Sequence, residues 1–372
     1  MSVAVIGTGA IAKQHLACLR KLHNVRIAGV CDLSRSMAES AASRFGVDRW
    51  YTDHRKMLDE LHPDVVHITT PPTSHYRLSM DALAADAHVL VEKPATVEYA
   101  ELEDLLAEAR SHNRHVIEDY NYIFNDPVQR VLRLIDSGEF GQVTHVEISL
   151  CLDILSPGGA FVDENAPHPC LSMDGGAIAD FLPHLASLAH AFVGAHKNVA
   201  TLWTKRGTSI LPSDEFRALI EADRGSAELV FSAHTQPDSF QIRVYGQHMR
   251  TSINLFEPHL TIDRVRSCPK PLIPFFNGLA DSAETARSSF RGLIRKLSGG
   301  PGAYEGLWQL LSRTYTALAT GSSMPVTMQQ IQEVNHLVAA MKDKENRLES
   351  VSDRRERLSG PARRLGISPA RA

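Results

Sequence analysis

Apolar residues in the first 120 positions gather in short runs rich in β-branched side chains, at 3–6, 25–31, 65–69, 88–91 and 115–117. Between them, residues 11–22, 36–45, 75–85 and 98–111 carry apolar side chains at the three- and four-residue spacing of one helix face. Such alternation predicts an α/β unit with a parallel, doubly wound sheet. In that architecture ligands meet the carboxyl ends of the strands, so the residues just after each run carry the most functional weight.

After about position 125 the pattern changes. A helix over 127–137 stops at Gly138 and Gly141, and an alternating strand follows over 143–150. A loop rich in proline, glycine and acid spans 153–174, then a helix is predicted over 176–192. Strand-like segments at 199–205, 216–221, 227–232, 240–245, 251–256 and 260–265 come with no helix between them, which predicts a large, mainly antiparallel sheet in a second α+β domain. Residues 268–300 read as an irregular, basic, partner-facing arm. Helices over 304–320 and 328–341 close the pattern, and the segment from Lys342 onward is expected to be disordered. The expected division is 1–122 for a nucleotide domain, 123–341 for a substrate and oligomerisation domain, and 342–372 for a basic tail, with 303–341 able to pack back on the first domain.

Composition narrows the partners. The 372 residues carry a formal charge of −4, but from Lys342 to the end nine Lys or Arg face five Asp or Glu, leaving −8 on residues 1–341. An acidic body argues against nucleic acid. Cys18, Cys31, Cys151, Cys170 and Cys268 form no C-x-x-C pair, so neither a disulfide framework nor a thiolate metal site is expected, and the chain reads as cytoplasmic. No apolar run approaches membrane-spanning length, so no membrane association is expected.

The first run ends in Gly7-Thr8-Gly9-Ala10-Ile11-Ala12. Gly7 permits a tight turn, Gly9 lets a pyrophosphate approach the backbone, and Ala12 lets the helix lie close on the strand, the G-x-G-x-x-A form of a Rossmann dinucleotide site. The second run leads into Asp32, about twenty residues beyond the glycines, where an acid binds ribose hydroxyls and repels a 2′-phosphate. NAD is therefore expected over NADP, although Arg35, three residues on, could hold a phosphate or stack on adenine. Thr70-Pro71-Pro72 with His75, Glu92-Lys93-Pro94, and the stretch from Glu118 to Asn121 follow the later strands. Lys93 reads as a cleft lysine orienting a substrate hydroxyl; the plainer reading is an exposed strand cap. His15 and His75 read as structural or positioning groups.

Asp174-Gly175-Gly176 opens the helix that carries Asp180 and His184, four residues apart on one face. A carboxylate beside an imidazole suits a general base. A solvated contact, a satisfied core histidine and two metal ligands are the alternatives; metal is disfavoured because spacing places no third ligand, and none is expected.

Taken together these motifs resemble the glucose–fructose oxidoreductase / inositol dehydrogenase (Gfo/Idh/MocA) family over residues 3–341. Gly7–Ala12 with His15, Thr70-Pro71-Pro72 with His75, Glu92-Lys93-Pro94, and Gly175-Gly176 with Asp180 and His184 carry the resemblance, with Asn121 and Tyr122 at the crossover. It implies a nicotinamide-dependent enzyme acting on sugars, polyols or nucleotide sugars, assembled as a homo-oligomer through its broad sheet. His184 would move the hydroxyl proton, Asp180 would orient it and Lys93 would steady the reacting oxygen. Gly7, Thr8, Gly9, Ala10, Ile11, Asp32, Arg35, Thr70, Pro71, Pro72, His75, Glu92, Lys93 and Asn121 would contact NAD. A regulator that only senses the cofactor, or an enzyme that uses bound NAD transiently for glycosidic cleavage or epimerisation, are the other readings.

Overall fold

The computed structural model describes residues 1–155, 171, 174–206, 211–257, 259–265, 269–297 and 304–348. Its first sheet is built on β1 (Ser2–Ile6), where Val3, Ala4 and Val5 have no exposed surface. A strand apolar on both faces needs cover on both, which parallel sheets provide through their crossover helices. Around it stand β2 (Arg26–Cys31), β3 (Trp50–Tyr51), β4 (Val65–Ile68), β5 (His88–Val91) and β6 (Val116–Glu118). The spatial order is β3-β2-β1-β4-β5-β6, and every pairing is parallel. Helices α1 (Ala10–Leu19), α2 (Arg35–Phe45), α3 (His54–Leu61), α4 (His75–Ala84) and α5 (Tyr99–Ser111) make the crossovers.

The sequence pattern did not predict β3 and α3. A two-residue strand has no periodicity to read, and α3 buries only Met57 and Leu58. Its start is fixed instead by Asp53, whose carboxylate accepts from the Arg55 and Lys56 backbone N–H groups.

The chain leaves this sheet through α6 (Asp126–Asp136) into β7 (Val143–Cys151). After α7 (Gly176–Val193) come β8 (His196–Thr204), β9 (Glu215–Ala222), β10 (Gly225–Ser232), β11 (Ser239–Gly246), β12 (Met249–Asn254) and β13 (His259–Arg264). They order as β13-β12-β11-β7-β10-β9-β8. All neighbours are antiparallel except β7 and β10, which run parallel with Ser226 opposite His145. Alternating burial reveals which face a strand presents but not its direction, so this pairing was not legible beforehand. Helix α7 covers one face of the sheet. It is apolar and long enough to cross a membrane by composition, yet 78% of that window is buried, so it is a core helix.

Two expectations need correction. Over 273–297 the chain is not an irregular arm but a continuous helix, α8 (Ile273–Leu297), which lies beside β13. Pro274 sits in its first turn, where a missing N–H breaks no helical bond, so the proline marks a start rather than a break. Nor is order lost at Lys342. The Leu348 backbone N–H donates to the Thr201 carbonyl at 2.7 Å, and the Arg347 guanidinium lies 4.9 Å from the Trp203 ring centroid, so the chain still packs on β8 there. The remainder of the expected tail lies outside the described residues.

Helices α9 (Glu305–Thr320) and α10 (Met328–Lys342) return to the first sheet. A Cβ on Gly306 would stand 2.1 Å from the Asn121 carbonyl oxygen, so α9 presses directly on the crossover. The Asn335 amide of α10 donates to Glu118 Oε2 at 2.7 Å and to the Tyr120 hydroxyl at 3.0 Å.

Candidate active site

The turn after β1 is shaped for a phosphate. Gly7 has φ +90°, and a Cβ there would come within 2.8 Å of the Thr69 carbonyl, so only glycine lets β1 and β4 close up at this point. The Thr69 hydroxyl donates to the Ile6 and Gly7 carbonyls and pins the turn from the neighbouring strand. Gly9 is the N-cap of α1, with no side chain capping the helix. A Cβ at Gly9 would meet nothing within 4 Å. Free N–H groups at a helix start, facing open space, fit a dinucleotide pyrophosphate. Thr8, Ala10 and Ile11 lie on the same turn.

Asp32 closes this corner. Its Oδ2 accepts from the Thr8 backbone N–H and hydroxyl, both at 2.8 Å, and Oδ1 accepts from the Ser34 N–H at 2.9 Å. The carboxylate is thus fixed beside the glycine turn, where adenosine ribose is bound in such sheets. Arg35 pairs with Glu39 at 3.0 Å and lies 5.2 Å from the Trp50 ring centroid.

The other half of the cleft is formed by the ends of β4, β5 and β6. Pro72–Ser74 make a 3-10 turn after Thr70 and Pro71. The buried His75 ring then spans two loops, with Nε2 2.7 Å from the Thr70 carbonyl and Nδ1 2.8 Å from that of Pro94. It is a brace rather than a proton carrier, because burial holds it below the ordinary histidine pKa. Lys93 points across the cleft to α7. Its Nζ lies 3.0 Å from Asp180 Oδ2 and donates to the Asp180 carbonyl at 3.0 Å. The Gly175-Gly176 pair, both at positive φ, turns the chain into α7 so that Asp180 faces the lysine.

The expected Asp180–His184 pairing is replaced by this Lys93–Asp180 bridge. His184 sits one turn further along, 8% exposed, with its ring edge-on to Tyr122 at 4.7 Å between centroids. Its Nδ1 is buried without a hydrogen-bond partner. Burial, and then the Lys93 charge, hold the ring well below the ordinary histidine value, so it is neutral. Lys93, from the end of β5, thus meets Asp180 of α7, with His184 one turn further along the same helix.

Behind Lys93 lies a buried polar chain that the sequence suggested only in part. Glu92 Oε1 is 3.0 Å from His15 Nε2, His15 Nδ1 is 2.9 Å from His67 Nδ1, and His67 Nε2 is 2.7 Å from the Tyr315 hydroxyl. Asp119 lies against Glu92 and accepts from the Asn121 amide at 3.2 Å. Asn121 therefore serves this chain as well as the cleft rim. The signal for His67 was a histidine inside an otherwise apolar strand; Tyr315 gave none, since helical spacing alone makes it a core residue.

A parallel dinucleotide sheet, joined through one cleft to a helix-backed mixed sheet, defines a two-domain NAD-binding oxidoreductase. Family models agree: residues 1–120 match the oxidoreductase family NAD-binding Rossmann fold, and residues 128–251 match the GFO/IDH/MocA C-terminal domain. The chain belongs to the GFO/IDH/MocA oxidoreductase family. It is 24% identical over 251 residues to the uncharacterized oxidoreductase YrbE of Bacillus subtilis (strain 168), covering 67% of this chain and 70% of that one. It is 28% identical over 144 residues to D-glucoside 3-dehydrogenase of Escherichia coli (strain K12), covering 38% of this chain and 41% of that enzyme. Its fold is similar to the WlbA dehydrogenase of Bordetella pertussis, solved with NADH and UDP-GlcNAcA, at a TM-score of 0.74 and 16% identity, over 92% of this chain and 94% of that one.

Proposed function

We propose that the protein oxidises, reversibly, a secondary alcohol of a sugar, polyol or nucleotide sugar. The observation that carries this reading is the Lys93–Asp180 bridge at 3.0 Å, with neutral, buried His184 one helical turn beyond it. Bound NAD supplies the hydride acceptor. The N–H groups at the start of α1 hold its pyrophosphate, and Asp32 holds its adenosine ribose. Lys93 donates to the substrate oxygen and steadies it as charge develops there. His184 takes the hydroxyl proton, and Asp180 holds Lys93 in the cleft. A protein that only sensed the cofactor would have no use for these three side chains, which favours the enzymatic reading.

The division near residue 122, a cytoplasmic location and a homo-oligomer belong to the same proposal. A panel of polyols, aldoses and nucleotide sugars, read by NADH absorbance, tests the activity. NAD binding with no reduction by any of them, and no consumption of glycosides, would sink it. Light scattering of the purified chain tests the assembly, and a monomer at micromolar concentration would refute it.

A further inference from the structure

The proposed reaction makes no use of Glu92, Asp119 and His15, yet these are buried titratable groups set directly behind Lys93. Glu92 is 8% exposed, and Asp119 and His15 have no exposed surface. Their ligand atoms all lie within 4.8 Å of one another. Two carboxylates this close and this deep cannot both be ionised without a cation between them.

The hydrogen bonds decide where the charge goes. Both His15 and His67 are held neutral by burial, so each has a single N–H. In the tautomer series that starts with the Tyr315 hydroxyl as donor to His67 Nε2, His67 Nδ1 donates to His15 Nδ1 and the one proton of His15 lies on Nε2, 3.0 Å from Glu92 Oε1. Glu92 also accepts from the Lys93 backbone N–H and is bonded to Asp119. Asp119 is provided for differently: Oδ2 accepts from Asn121, while Oδ1 is buried without any partner. An orphaned oxygen is far less costly on a neutral acid than on a carboxylate. The proton therefore belongs on Asp119 and the charge on Glu92. The other titratable groups facing the pair are Lys93 and Asp180, which balance each other at 3.0 Å, and the buried Glu118, whose carboxyl burial and then Asp119 push toward the neutral acid.

Topology places this charge relative to the cofactor. With Asp32 after β2 at the adenosine end, a dinucleotide crossing the β1–β4 switch point must lay its nicotinamide over the ends of β4, β5 and β6. Glu92 and Asp119 follow β5 and β6 there. We propose that Asp119 is held as the neutral acid and shares its proton with Glu92, so that the pair keeps one negative charge under the nicotinamide and favours the oxidised, cationic ring over the reduced, neutral one. Glu92 and Asp119 are then positioning residues acting on the redox balance of the bound cofactor. The inference rests on NAD binding by the first domain, not on which alcohol is oxidised.

The test is the ratio of NAD+ to NADH dissociation constants for the full chain, measured without substrate. Glu92→Gln together with Asp119→Asn removes the charge whichever carboxyl would hold it, and should weaken NAD+ relative to NADH by about tenfold. Asp119→Asn still offers a donor to Glu92 and should leave the ratio within about twofold. An unchanged ratio in a folded protein carrying both Glu92→Gln and Asp119→Asn overturns the proposal. Infrared spectra of wild-type protein with isotope-labelled aspartate give a second reading that needs no variant. A buried, protonated aspartate carbonyl band lost in Asp119→Asn is the expected result; no such band, or one equivalent of tightly bound metal in the purified protein, overturns the assignment. Either reading stands whether or not any alcohol in the substrate panel is oxidised.

Discussion

Lys93 follows β5 of the first sheet, Asp180 lies on α7, which backs the second, and the two meet twice, carboxylate and backbone carbonyl each 3.0 Å from one ammonium. Lys93→Ala removes both contacts and the oxygen-steadying charge, so turnover should fall by about two to four decades. Asp180→Asn keeps the carbonyl contact and should cost less. Steady-state kinetics of both variants, with the substrate the panel identifies, provide the check, and equal losses would mean the carbonyl contact counts for nothing.

His184 leads to a prediction about pH. Because burial and Lys93 keep its ring well below the ordinary 6.5, the ring stays unprotonated as pH falls through that value. Alcohol oxidation should therefore show no loss from this group between pH 8 and pH 6.5, and an acid limb only below it. His184→Ala should lower turnover by about two to four decades with NAD affinity unchanged. A pH–rate profile that halves at 6.5 and loses that feature in the variant would show an exposed, ordinary histidine.

Asp32 joins cofactor choice to loop order, because the carboxylate that faces ribose also holds Thr8 and Ser34. NAD should bind more tightly than NADP by about 1–3 kcal/mol, or one to two decades. Asp32→Ala should narrow that gap while weakening NAD itself. Titrations of both cofactors against both proteins decide it, and tighter NADP binding by wild type would refute the preference.

Gly7 and Gly9 should fail in different ways. Gly7→Ala forces a Cβ to 2.8 Å from the Thr69 backbone at positive φ, so it should lower thermal stability. Gly9→Ala meets no protein atom within 4 Å, so stability should hold while NAD affinity drops by about tenfold or more. Melting curves with and without NAD separate the two outcomes.

Glu118 links pH to stability. Burial pushes its carboxyl up to about 7, against the pull of the Tyr120, Asn335 and Ala95 donors. The folded protein then holds a proton that the unfolded chain releases near 4.5, so stability from this group is full below 4.5 and lost as pH rises to about 7. The loss amounts to about 3 kcal/mol at most. Urea unfolding at pH 5 and pH 8 should show this fall in wild type and a smaller one in Glu118→Gln.

The α/β half was legible because its strands are apolar throughout and its turn residues, Gly7, Gly9 and Asp32, each have one physical reason to be there. The second sheet was legible as strands, but not in the direction of β10 against β7, since alternation is blind to polarity. Helix α8 was misread because Pro274 and Gly278 look like breakers unless the helix start is already known. Lys93, Asp180 and His184 could be named from position and spacing. Their pairing could not, because Lys93 and Asp180 are 87 residues apart and the bridge depends on how two sheets are set against each other.

The contacts of α9 and α10 with Asn121 and Glu118 bear on how such chains recombine. A gene fusion cut at the crossover would carry the nucleotide sheet away from the helices that complete its surface, leaving Tyr120 and the β6 end without Asn335. Helix α10 is tied as closely to the other side, where Glu333 pairs with His190 at 2.6 Å and the Met341 carbonyl accepts from Trp203 at 3.1 Å, so these helices fasten both sheets together. Swapping catalytic halves between relatives should succeed only when the faces that meet α9 and α10 on both sides are exchanged with them or matched to them.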